Sequence, residues 1–516
     1  MIRLGIDVGG TNTDCVLLDD ELEVIARVKS PTTGDVQSGI SNGIKEVLGI
    51  ANIDPQNITH AMLGTTQATN AIAERKGLDR VGVIRLGKPY TTSIPPLTDW
   101  PADLAEKVGE HRYIETGGYE FTGEEINPIN ESEIKAVCQK MAGKVDTVAI
   151  TGVFSPVNNF QEKRCREIVE EELDVPVTIS SEIGSLGLLE RENAAALNAA
   201  LHSTAHRFIK GFINSLKENN IDAEVYICQN DGTLMSTEQA EQFPVLTIGC
   251  GPTNSIRGAA YLSHMKDGIV IDIGGTTTDV GVIVNGFPRQ SSFSENIGGV
   301  RTNFPMPDVS SVALGGGTLV KNQGSSVKVG PESLGYKLMK DGLAFGGTQL
   351  TTTDVTLANG NSKIIPDTKR VNLDDQLIEK AKTEIERILN DAVDQMRTSS
   401  DKVPVVLVGG GSIIATKNIS GAATVDIPEN FGVANAVGAA LGEVSGEVNS
   451  IYSFEEKSEA ATVAEAKSVA INQAIEAGAD PKSVNIISVD VLPLAYLPQN
   501  AAIVKIKASG KLKSLV

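Results

Sequence analysis

Aromatic residues make up only 4% of this 516-residue chain, with a single Trp, so no stacking platform for bases or sugars is offered. Positive charge is also short. Lys and Arg number 45 against 65 Asp and Glu, a net charge of −20 that excludes nucleic acid and anionic membrane as expected partners. Any anionic ligand would need local positive potential from backbone amides or a metal ion. Five cysteines (Cys15, Cys138, Cys165, Cys228, Cys250) form no C-x-x-C pair and are odd in number. They read as reduced, buried thiols of a cytoplasmic protein. No apolar run approaches the roughly 20 residues of a membrane span. Met1 to Asp7 is expected to run straight into a core strand, with no signal peptide before it. The Walker A pattern is missing. His202 and His206 are four apart, but no Glu of an H-E-x-x-H motif and no third ligand accompany them, so they read as helix-surface histidines.

Glycine, by contrast, is abundant at 51 residues, and two glycine loops repeat one device. Residues 269–283 read as a buried strand, a tight turn and a second strand, with Asp272 at the first strand's end and Gly274, Gly275, Thr276, Thr277 and Thr278 at the turn. Gly274 and Gly275 are expected to take positive φ and to leave room for a ligand. Loop amides and Thr hydroxyls make an anion site, and Mg²⁺ reconciles that site with the neighbouring carboxylate. Residues 4–17 align without a gap on 269–282. Asp7 falls on Asp272, and Gly9, Gly10, Thr11, Asn12 and Thr13 fall on Gly274 to Thr278. A repeated motif implies two related domains, whose hairpins would clamp the phosphates of one nucleotide.

The paired D-x-G-G-T hairpins resemble phosphate motifs 1 and 2 of the actin, sugar kinase and heat-shock ATPase superfamily. Within it the chain resembles the hydantoinase A / 5-oxoprolinase family, related to acetone carboxylase subunits. The supporting stretches are 64–71, 189–195 (Leu-Glu-Arg-Glu-Asn-Ala-Ala), 251–260, 313–318, 329–333 and 352–355, and they run in the family's order over nearly the whole chain. The resemblance implies an α/β fold of two ribonuclease-H-like domains around an interdomain nucleotide cleft. The expected division is 1–185 (with an insertion about 88–123), 186–448, and a small C-terminal β appendage at 449–516. Val177 to Ser180 is expected to close the first sheet, and 186–216 to link the domains as helix.

It implies further that ATP and Mg²⁺ bind in the cleft. Asp7 and Asp272 would be the catalytic and metal-organising residues, and the hairpin glycines and threonines would hold phosphates. Gly315, Gly316 and Gly317 would lie by the active site, with Asp308 upstream and Ser310 where many relatives carry His. Gly409, Gly410 and Gly411, after an apolar strand, resemble the adenosine motif. Residues 431–441, rich in small side chains, resemble a connecting helix at a domain hinge. Glu190, Arg191 and Asn193 would face the cleft. The implied reaction is ATP-dependent opening of a cyclic amide such as a hydantoin, 5-oxoproline or a related lactam. A hydantoinase B-type or other genomic-neighbour subunit and homo-oligomerisation are the partner expectations. A small-metabolite kinase and an ATPase switch acting on a protein partner need the same cleft and stay open.

Overall fold

The computed structural model describes residues 2–10, 12–31, 36–291, 295–324, 326–358, 371–416, 418–455, 457–494 and 500–513. Among them the chain forms an α/β fold with mixed sheets. The first sheet is built on β1 (Ile2–Val8), β2 (Asn12–Leu18), β3 (Val24–Pro31) and β4 (Ile58–Thr65). A separate four-stranded parallel sheet follows, β5 (Val81–Lys88), β6 (Arg112–Thr116), β7 (Thr147–Gly152) and β8 (Val177–Ile179), in the order β6-β5-β7-β8. The chain then returns to the first sheet with β9 (Glu224–Cys228), parallel to β4, and β10 (Thr233–Ser236).

The second large sheet contains β11 (Gly268–Ile273), β12 (Thr278–Val284) and the short β13 (Phe287–Pro288). A small hairpin, β14 (Glu295–Ile297) with β15 (Val300–Thr302), precedes β16 (Val309–Val312), which pairs with β12. Another hairpin, β17 (Thr318–Asn322) with β18 (Val327–Ser333), precedes β19 (Val403–Val408) and β20 (Ala422–Asp426). Finally β21 (Glu443–Tyr452), β22 (Asn485–Pro493) and β23 (Ala502–Gly510) extend the first sheet, giving β22-β23-β21-β10-β9-β4-β1-β2-β3.

The two large sheets share one plan. In the first, β1, β2 and β3 are antiparallel neighbours and β4 then β9 lie parallel on the other side of β1. In the second, β11, β12 and β16 repeat the antiparallel trio, and β19 then β20 the parallel pair. Each reads 3-2-1-4-5 across the sheet, so the repeated hairpin of the sequence is the start of a repeated five-strand unit.

Sheet membership departs from the expected divisions at 186 and 449. β9 and β10 belong with the first sheet, as do β21 to β23, so the C-terminal segment is an edge of that sheet and no separate appendage. The expected closure by residues 177–180 also fails, because β8 pairs with β7 in the inserted sheet. The expected insertion at 88–123 comprises the β5–β6 connection, β6 and the loop after it, inside a much larger insertion between the fourth and fifth strands of the first unit. Local pattern could not separate these, since strands of both sheets carry the same buried Val and Ile runs. The helical stretch from 186 is two helices, Leu188–Ala200 and His202–Glu218.

Ile40, Ile44, Ile209 and Phe212, on the helices Val36–Ala51 and His202–Glu218, pack with Leu4 and Ile6 of the first sheet. Ile378, Ile385 and Leu389 of the helix Asp375–Met396 pack with Ile269 and Ile271 of the second. Between the sheets lie two small-residue helices. Cys250–Leu262 packs on β11 and β19, and Ala434–Ala440 packs on β1 and β2. They meet at two glycines: a Cβ on Gly258 would run into the Ala434 carbonyl oxygen, and one on Gly438 into that of Asn254. Small residues at 431–441 thus allow two backbones to touch. Gly258→Ala is therefore expected to cost about 1–3 kcal/mol of stability, the usual penalty of overpacking, read as a fall in the denaturation midpoint. An unchanged midpoint would mean that the helices separate without loss.

Candidate active site

The pairing of the two units sets out two rows of side chains at one level. In the first sheet Gly64, Asp7, Asp14 and Lys29 are successive register partners across β4, β1, β2 and β3. In the second, Val408, Asp272, Asp279 and Ser311 are their counterparts across β19, β11, β12 and β16. Register partners share one side of a sheet, so each row presents two carboxylates together. The turns match as well: Gly9 N–H donates to Asn12 O at 3.0 Å, and Gly274 N–H to Thr277 O at 2.9 Å. Gly9, Gly10 and Gly274 do not take the positive φ expected of such turns. Glycine is favoured instead by close approach, since a Cβ would stand 3.2 Å from Asn12 O at Gly9 and 3.3 Å from Thr277 O at Gly274. Thr11 lies outside the described residues.

Asp7 is 4% exposed. Its Oδ1 accepts from Asn254 Nδ2 at 3.3 Å and its Oδ2 from Asn435 Nδ2 at 3.0 Å, one amide from each of the crossing helices. Burial, with the charge of Asp14, pushes its pKa up to about 6, against the two amides. Asp272 is partly exposed, but the protein packed around it still raises its pKa, opposed first by a hydrogen bond from Ser255 and then by the charge of Lys29. Neighbouring residues of one helix therefore act on the two units: Asn254 hydrogen-bonds Asp7, and Ser255 favours the charged form of Asp272. Asp279 is pushed up to about 6 by burial, with Ser311 donating to its carboxylate. Burial also raises Asp14, opposed by Lys29, whose Nζ donates to both oxygens at 2.8 and 2.7 Å. Both leading carboxylates lean toward the fourth strand of their unit: a Cβ on Gly64 would strike Asp7 Oδ1, and one on Gly409 would strike Asp272 Oδ1.

Three glycine loops far apart in sequence are stitched into one. Gly316 N–H donates to Gly274 O at 3.0 Å, Gly317 N–H to Gly275 O at 2.8 Å, and Gly411 N–H to Ile273 O at 2.7 Å. A Cβ on Gly315 would stand 2.6 Å from the Gly275 carbonyl carbon and the Thr276 nitrogen. Thr278 is buried and donates its hydroxyl to Leu314 O at 2.6 Å, so that donor holds the 315–317 loop in place. Thr13 is buried likewise, whereas Thr277 is exposed. Behind the loop, Thr352 and Thr353 donate to the Gly316 carbonyl at 2.9 and 2.7 Å, and the Asp354 carboxylate caps Ala344 N–H at 2.7 Å. Thr352 and Thr353 thus clamp the glycine loop, while Asp354 fixes the segment behind them.

Other expected residues sit elsewhere. Arg191 is buried and donates to Gly152 O at 2.6 Å, and Asn193 accepts from Trp100 Nε1 at 2.7 Å. Both fasten the inserted sheet and its loops. Glu190 pairs with Arg301 at 3.5 Å. Asp308 pairs with Arg289 at 2.7 Å and Ser310 donates to Gln395 at 3.4 Å, while its neighbour Ser311 reaches Asp279. Burial pushes the Cys250 thiol up to about 12, which suits a structural thiol donating to Thr65 O. No helix among the described residues is long and apolar enough to cross a membrane. Sequence reading missed Lys29, Asn254, Ser255, Asn435 and Ser311. Lys29 and Ser311 become visible once β3 and β16 are set in register, while the two Asn and Ser255 need the helix crossing.

Against known proteins, the family model described as hydantoinase/oxoprolinase N-terminal region matches residues 3–173, and that described as hydantoinase/oxoprolinase matches 191–367. The chain is 28% identical to the acetophenone carboxylase gamma subunit of Aromatoleum aromaticum, over 71% of this chain and 54% of that one. It is also 28% identical to the caprolactamase subunit alpha of Pseudomonas jessenii, over 69% and 54%. The crystal structure of the ATP-dependent caprolactamase from Pseudomonas jessenii shares its fold, with a TM-score of 0.77 at 19% identity over 99% of this chain and 88% of that one. The chain spans 54–62% of the length of the first curated relatives it matches. Two family models in their expected order, on a fold with duplicated Asp-Gly-Gly hairpins, place this chain in the hydantoinase/oxoprolinase family.

Proposed function

We propose that the chain binds ATP between its two hairpins and phosphorylates a cyclic amide, as part of an ATP-dependent hydrolase of hydantoins, 5-oxoproline or related lactams. The two five-strand units are then the ribonuclease-H-like halves of an actin-like ATPase, with the nucleotide cleft between them. One observation carries this reading. Asp7 and Asp272 stand at equivalent places near the ends of the first strands of a duplicated unit, and one helix serves both, Asn254 donating to Asp7 and Ser255 favouring the charged form of Asp272.

The residues have separate tasks in this scheme. Amides of the Gly9–Gly10 and Gly274–Gly275 turns face the phosphates, and Gly409 to Gly411 lie against the adenosine. Asp7 and Asp272 orient the acceptor oxygen and hold its surroundings anionic. The amide oxygen attacks the terminal phosphorus and ADP leaves. One water then adds to the activated carbon and the C–N bond breaks with a proton passing to the nitrogen, leaving an acyl phosphate; a second water releases phosphate, giving ADP, phosphate and the ring-opened acid. Phosphoryl transfer of this kind depends mainly on position and on stabilised charge.

The donor set suits a divalent cation shared with a ligand. Two carboxylates are on hand, yet among the described residues no cluster of three or more His, Cys, Asp or Glu forms a metal site by itself. Phosphate and water oxygens would complete the shell, as Mg²⁺ prefers. Bound there by Asp7 and Asp272, Mg²⁺ would neutralise charge on the transferring phosphoryl.

Subunit names among the relatives favour a second chain in the assembly, of the hydantoinase B type or another genomic neighbour, and a cytoplasmic setting is consistent with the buried free cysteines. Millimolar ATP with Mg²⁺ should raise the melting temperature by mass action on the folded state. Free phosphate and ring-opened acid should appear with a lactam once the neighbouring gene product is added. Absence of any thermal shift would remove the nucleotide reading, and a stable phosphoester product would make the chain a kinase.

A further inference from the structure

The two rows are the same four positions of a duplicated unit, yet they differ in charge at the last one. Lys29 stands on Asp14 in the first row, and Ser311 stands on Asp279 in the second. A hydroxyl suffices to satisfy Asp279, so pairing with the second carboxylate does not itself demand a lysine. Lys29 also reaches beyond its own sheet. Its Nζ donates to the Gly432 carbonyl at 3.1 Å, and its Cε lies 3.7 Å from where a Cβ on Gly410 would stand. Two strand-end loops of the second unit thus reach a lysine of the first, whose side chain is 36% exposed. A polyphosphate entering beside Asp7, Asp14, Asp272 and Asp279 meets strong repulsion unless a cation moves with it.

We infer that Lys29 is a phosphate ligand of the nucleotide, the cation that breaks the symmetry of the duplicated site and fixes which end takes the polyphosphate. The inference rests on the nucleotide reading above and adds a residue to it. Asp14 then holds the ammonium at the junction of the two units, and a phosphate oxygen of the ligand takes the donor now spent on the Gly432 carbonyl at 3.1 Å. The bland alternative is a lysine that neutralises Asp14 and does nothing else.

Titration calorimetry with ATP and Mg²⁺ on the full chain separates the two. Lys29→Met should weaken ATP binding on the order of 10- to 100-fold, the size of one charged hydrogen bond, and flatten its salt dependence. Lys29→Arg should keep most of the affinity. The charge-balanced double variant Lys29→Met/Asp14→Asn removes both partners, leaves no uncompensated carboxylate and guards against simple misfolding. It should bind as weakly as Lys29→Met. Wild-type affinity in that double variant would overturn the inference, because Lys29 would then act only through Asp14. Wild-type affinity in Lys29→Met would overturn it too, with the nucleotide cleft left standing. If the unaltered chain binds no ATP, the functional reading itself falls.

Discussion

Asp272→Asn is expected to lower turnover by a factor of about 10² or more, the usual size of an electrostatic or acid–base contribution, while ATP affinity changes little. The asymmetry follows from what the substitution removes. An amide keeps the shape and can still hydrogen-bond Ser255, whose hydroxyl both donates and accepts. What disappears is a negative charge facing the proposed site of phosphoryl transfer, and charge matters most as the transition state forms. Asp7→Asn should lose turnover similarly but also destabilise the fold. Both Asp7 oxygens accept from amide nitrogens, Asn254 on one and Asn435 on the other, so the new NH₂ must face a donor. The combined variant should lose less than the product of the single losses, since groups that act as one unit are not additive. Steady-state rates and ATP affinities of the three variants check this. Near-native turnover in Asp272→Asn would leave the second hairpin a purely structural repeat.

Some of this site is legible from the sequence because it is local. A short apolar strand bearing an Asp runs directly into a Gly-Gly turn, so both hairpins stand out, and the gapless offset between 4–17 and 269–282 predicts a duplication that the two 3-2-1-4-5 strand orders display. Loops 315–317 and 409–411 are recognisable as glycine-rich, but nothing in their spacing says that they hydrogen-bond to the 273–275 backbone. That convergence comes from sheet closure: β19 lies parallel to β11, and its end falls beside the hairpin turn. Supporting side chains are the least legible. Asn254 and Asn435 are 181 positions apart and meet on Asp7 because two helices touch at Gly258 and Gly438. Sheet membership fails for the opposite reason. Local hydrophobic pattern marks β8 and β9 as strands, but the partner of each is chosen by long-range packing that no window of sequence contains, and β21 is not marked at all.

Gly409 carries the most exacting backbone demand in the site, and its replacement by Ala is expected to impair folding and activity together. Its φ of 85° lies in the left-handed region, where a Cβ costs about 1–2 kcal/mol from the backbone alone. Position adds to conformation. A Cβ there would overlap the Ile273 carbonyl oxygen and Asp272 Oδ1, the one a backbone atom of β11 and the other the carboxylate assigned to chemistry. Relief requires either that the 409–411 loop withdraw or that Asp272 rotate away. Withdrawal would break the 2.7 Å hydrogen bond from Gly411 N–H to Ile273 O, and rotation would misplace the charge. Both routes damage the site, so Gly409→Ala should lower the melting temperature and reduce turnover at least as far as Asp272→Asn does. Gly410→Ala is the matched control, because its Cβ meets nothing nearer than Lys29 Cε at 3.7 Å and its φ is not left-handed. It should fold normally, and any loss it shows should appear in nucleotide affinity, since its side chain would enter the space beside the ammonium. Thermal melts and steady-state kinetics on the pair decide the matter: equal stability of the two variants would show that the loop yields freely and that Gly409 sets nothing at Asp272.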